Sequence, residues 1–400
     1  MSGTTTVSET PADRPSTPSR DRNAGVIVHA DIAGESAFSA ENRALALRLT
    51  ERQFPIQIAP VSGQQLNPHA PSLRTLGRRL NDLLHDRLDL ADSVLYQSGA
   101  PTSWNLDFYG RCRVGRAAFG TDRIPDGWAE RCNAVDELWT PSEFDRETFA
   151  ASGVERSKIR VVPYAVDSEV FCPRRPSLQL PGMSAKSFRF LGVTDGWLAS
   201  GIDVLVRAFI EEFSADEDVA LALHCPAERC GDSFIDFEAE LIAFIETKLG
   251  RNLEEVPPIA LLVGSLSDED RAGLLAASHA FVQPARAEAP GRHSLEALAC
   301  QIPVVATEWG PLSDFLTEQN SFPVMTNGLV PAQPEENELF ADHRWAEPNL
   351  DHLKKQMREV FRNSKETTRR AAHGRRDVIH RFEWSVVLPE WIRNIRRLLA

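Results

Sequence analysis

The amino-acid sequence predicts an α/β protein built from two doubly wound parallel-sheet domains that face a cleft. Strand-length apolar runs alternate with helix-period segments from residue 25 onward, the pattern of parallel sheets covered by helices. That alternation breaks once, at residues 168–186, where three prolines and few periodic apolar positions read as a linker. A chain of 400 residues is also long enough for two units that each bury a core. The expected plan is a tail over 1–23, a first domain over 24–167, the linker over 168–186, a second domain over 187–380 and a terminal helix over 381–400.

The tail is rich in Ser, Thr and Pro, with Met1 and Val7 as its only large apolar residues. It cannot bury enough surface to offset its ordering entropy, so it reads as disordered. The first strand is the apolar run beginning at Gly25 and ending at His29 and Ala30; a helix over 40–52 and a strand over 56–59 follow. Leu73, Leu76, Leu80, Leu83, Leu84 and Leu88 mark an amphipathic helix, with Arg74, Arg78, Arg79 and Arg87 off its apolar face. Strands are expected over 92–97, 113–119 and 137–140. Ser142 then sits where an N-cap belongs before a helix over 145–151. The run Val161 to Asp167 closes this domain. In the second domain, strands over 188–193, 219–224, 259–263 and 280–284 alternate with helices over 203–213, 234–249 and 268–277. Helices over 350–361 and 367–381 carry an excess of Lys and Arg, either as a solvated face or for contact with acidic lipid or a partner; 384–399 is the last helix.

Composition narrows the function classes. Hydrophobic residues are 42% and charged residues 25%, as in a soluble globular protein. A net charge of −13 argues against a general nucleic-acid binder, which needs a basic face for phosphates. The six cysteines form no C-x-x-C pair and no His-spaced set, so free thiols in a reducing cytoplasm are expected rather than a disulfide framework or zinc. No apolar run reaches membrane-spanning length and no signal core is visible at the N-terminus. A cytoplasmic location, peripheral to the inner membrane face if the basic helices meet lipid, is the expectation.

The most informative stretch runs from Ala285 to Pro311: an irregular Gly/Pro loop, a helix from Ser294 to about Cys300, a buried strand over 302–307 and a Trp-Gly-Pro turn. In such a unit the loop and the helix N-terminus lie at the edge of a parallel sheet, where α/β proteins bind ligands. Gly291 lets backbone N–H groups approach an anion, and the first helical turn favours negative charge. Glu296, on that turn, can accept two hydroxyl hydrogen bonds from a vicinal diol such as a ribose. Glu288 lies in the loop, nearer to whatever is attached beyond the phosphates. With no further ligands around it, this carboxylate pair suits a nucleotide sugar better than a metal.

The stretch resembles the E-x7-E region of the retaining family 4 glycosyltransferases, which use the two-domain GT-B fold. The segments Asn133–Phe149 and Val161–Asp167 resemble further motifs of that family, and Arg113–Trp128 resembles a first-domain segment of one bacterial branch. The resemblance covers most of residues 25–390. It implies that Glu296 holds the donor ribose, that Glu288 contacts the donor sugar and that Gly291 matches a glycine between them. No metal or other cofactor is implied, and no D-x-D-like pair stands on a plausible metal loop. The implied partners are a nucleotide sugar and a glycan or lipid-linked acceptor.

Three departures from the family pattern stand out. Where the branch reads W-x-R-K-G after the first strand of the second domain, this chain has Trp197-Leu198-Ala199-Ser200-Gly201, so Ala199 and Ser200 replace the two cations that face the donor phosphates. Trp197, Ser200 and Gly201 remain as donor-site candidates, and Arg292 or Arg286 could supply part of the missing charge. Gly120 stands where the family has Glu. The mid-domain His is absent, since Tyr96-Gln97-Ser98-Gly99 follows that strand, which leaves His29 as the first-domain candidate beside Glu288 in catalysis. Three readings follow: a glycosyltransferase moving a hexose; a non-catalytic member of the fold acting as a regulatory or assembly subunit with a protein partner; and a GT-B phosphorylase or other sugar-phosphate enzyme, which would need a phosphate-binding cation even more.

Overall fold

The computed structural model of the protein describes residues 24–61, 66, 73–74, 76–107, 110–180, 183, 187–194, 196–226, 234–335 and 337–400, with the backbone alone for 234–236. The predicted tail lies outside these residues. The first sheet holds β1 (Val26–His29), β2 (Ile56–Ile58), β3 (Val94–Ser98), β4 (Cys112–Arg116), β5 (Glu137–Thr140) and β6 (Ile159–Val161). All are parallel, in the order β2-β1-β3-β4-β5-β6. The second sheet holds β7 (Phe188–Val193), β8 (Val219–Cys225), β9 (Ile259–Val263), β10 (Ala280–Gln283), β11 (Val304–Thr307) and β12 (Phe322–Val324), parallel in the order β12-β11-β10-β7-β8-β9. The predicted fold class therefore holds. Strands such as β3 and β8 are buried along their whole length because helices cover both faces, which is why β8 reads as a nearly continuous apolar run. The strand order reverses between β1 and β3 in one sheet and between β7 and β10 in the other. Loops at the carboxyl ends of those strands frame the crevice where doubly wound sheets bind ligands.

The first domain's helices are α1 (Ala37–Glu51), α2 (Arg79–His85), α3 (Trp128–Asn133) and α4 (Glu143–Ala151). Ser142 caps α4, accepting from Asp145 N. Helix α2 is shorter than the leucine period predicts. Gly77 adopts φ +49°, a left-handed conformation that ends the preceding turn before α2 begins. Leu73, Leu76, Leu80 and Leu83 still face inward, and the four arginines are exposed. The second domain's helices are α5 (Ile202–Glu212), α6 (Phe234–Ala243, continued by a π turn over Phe244–Lys248), α7 (Asp268–Ala276), α8 (Arg292–Ala299), α9 (Leu350–Arg362) and α10 (Ser364–Arg381). The last helix, α11 (Trp384–Leu399), crosses back and completes the first domain's core with Trp384, Val387, Leu388, Trp391 and Ile395. The Trp391 ring meets Tyr96 and Trp139 edge-on, with centroids 5.5 and 5.1 Å apart.

The basic residues of α9 and α10 are largely engaged with the protein itself. Arg358 bonds Glu212 and Glu217, Arg369 and Arg370 bond Glu366, and Arg375 donates to Ala299 O. That favours the solvated-face reading over lipid contact. Cys225 is disulfide-bonded, a correction to the expectation of free thiols. Cys112, Cys132, Cys172 and Cys300 are free, and the remaining cysteine, Cys230, lies outside the described residues. The bond weakens the step from cysteine usage to a reducing compartment. Among the described residues no helix is long and apolar enough to cross a membrane.

The short elements β6, β12 and α3 were not assigned from the sequence, and neither was a further hairpin. An antiparallel hairpin, β13 (Thr326–Pro331) and β14 (Arg344–Pro348), follows β12 and straps the second domain onto the first. Its connection is long and lacks a two-residue turn signal, so nothing local announces it. Phe119 packs against Phe340 and His343, and Asp122 and Arg344 exchange hydrogen bonds (Asp122 N to Arg344 O, 3.1 Å; Arg344 N to Asp122 Oδ1, 2.8 Å). The Thr121 hydroxyl donates to Arg123 O at 2.8 Å and so accepts from His343 Nδ1 at 2.7 Å. Thr121→Val is expected to lower stability by about 1 kcal/mol, the net scale of one such bond. Urea titration checks it: the midpoint should fall while the slope stays unchanged.

Candidate functional site

The site is assembled at the second sheet's switch point. Strand β10 delivers the loop 284–291, and Gly291 caps α8 with φ +85°, a conformation that glycine adopts without strain. Glu288 folds back over this helix end. Its Oε1 accepts from Gly291 N at 3.1 Å and its Oε2 from Gln283 Nε2 at 2.5 Å, while Gln283 Oε1 accepts from Ser294 Oγ at 2.5 Å. A carboxylate at a helix N-terminus is favoured by the exposed N–H groups and the helix dipole. The Ser294–Gln283–Glu288 chain thus fixes Glu288 at the place where a ligand's negative charge would otherwise sit.

Glu296 is 4% exposed and engaged by arginines. Arg292 Nε donates to its Oε1 at 2.7 Å and Arg271 Nη2 to the same oxygen at 2.9 Å, with His293 Nδ1 3.8 Å from Oε2. Burial alone would raise its pKa, but the Arg271 and Arg292 guanidiniums overcome that and hold the carboxyl well below the ordinary glutamate range. Arg271 also pairs with Asp268 at 2.8 Å, in the loop-to-helix turn after β9. The void beside Glu296, lined by His224, Arg271, His293 and neighbouring apolar side chains, measures about 10 Å³. That is about one water probe, so a ribose reaches this carboxylate only when one arginine yields. The packing of α7 against α8 makes the cluster; Asp268 and Arg271 were missed in the sequence. The signal available was their place at the carboxyl edge of β9, on the same crevice.

The loop after β7 lies against the loop after β10. Arg286 N and Ala287 N both donate to Ala199 O, at 2.8 and 3.1 Å. Gly201 has φ +70°, and a Cβ there would stand 2.0 Å from Pro284 O, so the close approach of the two loops needs glycine. Trp197 packs edge-on against Phe237 and Phe244, joining the second domain's core margin. Ser200 stands beside Ala199 in the same half-buried turn. Arg286 is not available for the compensating role expected of it beside Ala199 and Ser200. Its guanidinium bonds Asp203 at 2.7 and 2.9 Å, Glu347 at 2.6 and 3.0 Å, and Leu198 O at 2.8 Å, so two carboxylates already neutralise it.

Across the cleft, the first domain closes directly on the Glu288 loop. Gly120 is buried against it: a Cβ would meet Glu288 N at 2.5 Å and Glu288 O at 2.6 Å. Arg292 Nη1 donates to Glu35 O at 3.0 Å, in the loop after β1. His29 ends β1 opposite Gln97, with which it shares a hydrogen bond; burial lowers its pKa, so the imidazole is neutral at pH 7. Beyond it a cavity of about 340 Å³ opens at the first switch point, lined by Asp31, Ser39, Asn42, Ser98 and Phe38 among others. The structure therefore gathers Glu288, Gly291, Arg292 and Glu296 on one helix end, with Ser200 and Gly201 on the adjoining loop. His29 lies on the opposite sheet, and Trp197 in an aromatic cluster.

This architecture matches solved structures over nearly its whole length. A glycosyltransferase from Rickettsia africae ESF-5 superposes with a TM-score of 0.69 at 16% identity, covering 94% of this chain and 99% of that one. Sucrose-phosphate synthase from Thermosynechococcus elongatus gives 0.67 at 14% identity, covering 94% and 99%. Anabaena Alr3699/HepE, solved in complex with UDP-glucose, gives 0.62 at 15% identity, covering 93% and 100%. The fold is GT-B. Within this GT-B chain, residues 260–375 match the family model described as Glycosyl transferases group 1, a span that includes α7, the Glu288 loop and α8. The D-inositol 3-phosphate glycosyltransferase of Paenarthrobacter aurescens (strain TC1) is 31% identical over 202 residues, 50% of this chain. The match spans 45% of that relative's length.

Proposed function

We propose that this chain is a retaining glycosyltransferase that moves a hexose from a nucleoside-diphosphate sugar to a glycan or lipid-linked acceptor. The observation that carries the reading is the placement of Glu288 and Glu296 on the loop and first turns of α8, at the second sheet's switch point, facing the first domain. The family match over that segment and the solved relative holding UDP-glucose support it. In this reading Glu296 takes the ribose diol once an arginine releases it, and Glu288 leaves Gly291 N to address the donor sugar, which frees the α8 N-terminus for the phosphates. Ser200 and Gly201 add neutral hydrogen bonds. The acceptor enters by the cavity at Asp31 and Asn42, near His29.

A specific observation favours a second reading, a non-catalytic subunit. Ala199 and Ser200 carry no charge, Glu296 is sealed by two arginines and Gly120 lets the domains touch at Glu288. Calorimetry with UDP-, GDP- and ADP-sugars, followed by a hydrolysis assay, separates the two. Binding with slow turnover is the enzyme's expected result; no binding of any sugar nucleotide, with a co-purifying protein, supports the subunit. In an enzyme, Ala199→Arg with Ser200→Lys is expected to raise donor affinity or turnover roughly tenfold or more, since charge restored at a diphosphate acts in ground and transition states. Robust wild-type transfer would refute the subunit reading whatever the double variant does.

A further inference from the structure

Two buried guanidiniums at the cleft are incompletely matched by hydrogen-bonded carboxylates. Asp268 and Glu296 pair with Arg271 and Arg292, while Arg43 on α1 lies in the field of the same cluster without an ion pair to it. Arg292 is 3% exposed, yet its Nη2 makes no hydrogen bond; the nearest carboxylate oxygen, Asp268 Oδ1, is 3.7 Å away. Leaving charged donor hydrogens buried and unspent is costly. Arg43 is 5% exposed and its Nη1 donates to two carbonyls, Ile32 O at 2.8 Å and Gly34 O at 2.7 Å, with no bonded carboxylate. Burial and the field of Arg292 pull its pKa down to about 10, so it stays charged at neutral pH but would gain from an anion.

The two residues come from opposite domains and meet at the two switch points. Arg43 braces the loop after β1, and Arg292, the first residue of α8, reaches the same loop through Glu35 O. We propose that Arg43 and Arg292 form an anion clamp across the cleft that holds the donor's diphosphate, replacing the cations absent at Ala199 and Ser200. The proposal rests on the nucleotide-sugar reading above. When a donor enters, Glu296 exchanges the Arg292 guanidinium for the ribose hydroxyls. Arg292 Nε and Nη2, one planar edge of the fork, are then free for bidentate bonding to phosphate oxygens. The incoming ligand then brings negative charge to Arg43 and to Arg292 Nη2, which have no bonded carboxylate of their own.

The test measures binding of inorganic pyrophosphate, of UDP, GDP and ADP, and of the matching free nucleosides to the full chain by calorimetry. Wild type should bind one nucleoside diphosphate more tightly than its nucleoside. Arg43→Gln and Arg292→Gln should each weaken the diphosphate by roughly ten- to a hundredfold, the worth of a charged hydrogen bond, and Arg43→Gln, which does not touch Glu296, should leave the nucleoside unchanged. Arg292→Lys, which keeps the charge but loses the fork, should fall between. If Arg292→Gln does not fold, Arg43→Gln and Arg292→Lys decide the matter. Folded variants that bind the diphosphate as tightly as wild type would overturn the clamp while leaving the nucleotide-sugar reading intact. Failure of wild type to bind any nucleoside diphosphate or pyrophosphate would remove both.

Discussion

Replacing Glu296 with Gln is expected to cost about 3–5 kcal/mol of folding stability, the scale for removing one partner of a buried ion pair. The carboxylate is sealed at 4% exposure and accepts from both Arg271 and Arg292. Gln keeps the shape but leaves the two guanidiniums with Asp268 alone, so positive charge stays buried without enough compensation. The dependence on pH separates this from a packing defect. The folded-state pKa of Glu296 lies below the ordinary value of 4.5. The stabilisation is therefore complete above that value and is lost as pH falls from it toward the folded-state pKa. Urea midpoints of wild type and Glu296→Gln should thus stand far apart at pH 7 and draw together below pH 4.5. Equal midpoints at pH 7 would show that the cluster contributes nothing to the fold. Donor affinity should fall in the same variant, since the ribose partner is gone.

Gly120→Ala is expected to force the domains apart at their tightest contact. An added Cβ would lie 2.5 Å from Glu288 N and 2.6 Å from Glu288 O, and these are backbone atoms that cannot rotate away. Either the loop 284–291 shifts or the cleft opens, at about 3 kcal/mol, the upper part of the range for overpacking. Opening would also break the Arg292–Glu35 bond and strain the hairpin's contacts with Thr121 and Asp122. Small-angle scattering should report a larger radius of gyration, with the thermal midpoint lowered. A variant with unchanged size and stability would mean that the domains do not close on each other in solution. The resemblance places Glu where Gly120 stands, so the close approach at this point depends on this chain's own glycine.

What was legible in the sequence is what local pattern encodes. Alternating apolar runs and helical periods gave five of the six strands in each sheet, all but the short edge strands β6 and β12, and the Ser142 cap and the Glu288–Glu296 loop were readable from residues adjacent in sequence. The hairpin of β13 and β14 was not, because its strands pair across a long connection and its apolar residues do not alternate strictly. The state of Glu296 was equally hidden. Arg271 lies 25 residues away and Asp268 farther still, and only the packing of α7 on α8 makes them neighbours. Arg286 shows the converse error: next to the site in sequence, it is bound outward to Asp203 and Glu347. A charge near a motif in sequence is available to a ligand only if folding leaves it uncompensated.

The central claim, that a nucleotide sugar is held over α8 at the switch point of the second sheet, is tested most directly by hydrogen–deuterium exchange. The full chain would be compared alone and with saturating UDP-glucose, GDP-mannose or ADP-glucose. The account predicts that one of them slows exchange of amides in 285–300 and 196–206, the two loops and helix starts that meet at Ala199 and Gly201. Protection confined to other regions, or none with any of the three donors, would contradict it.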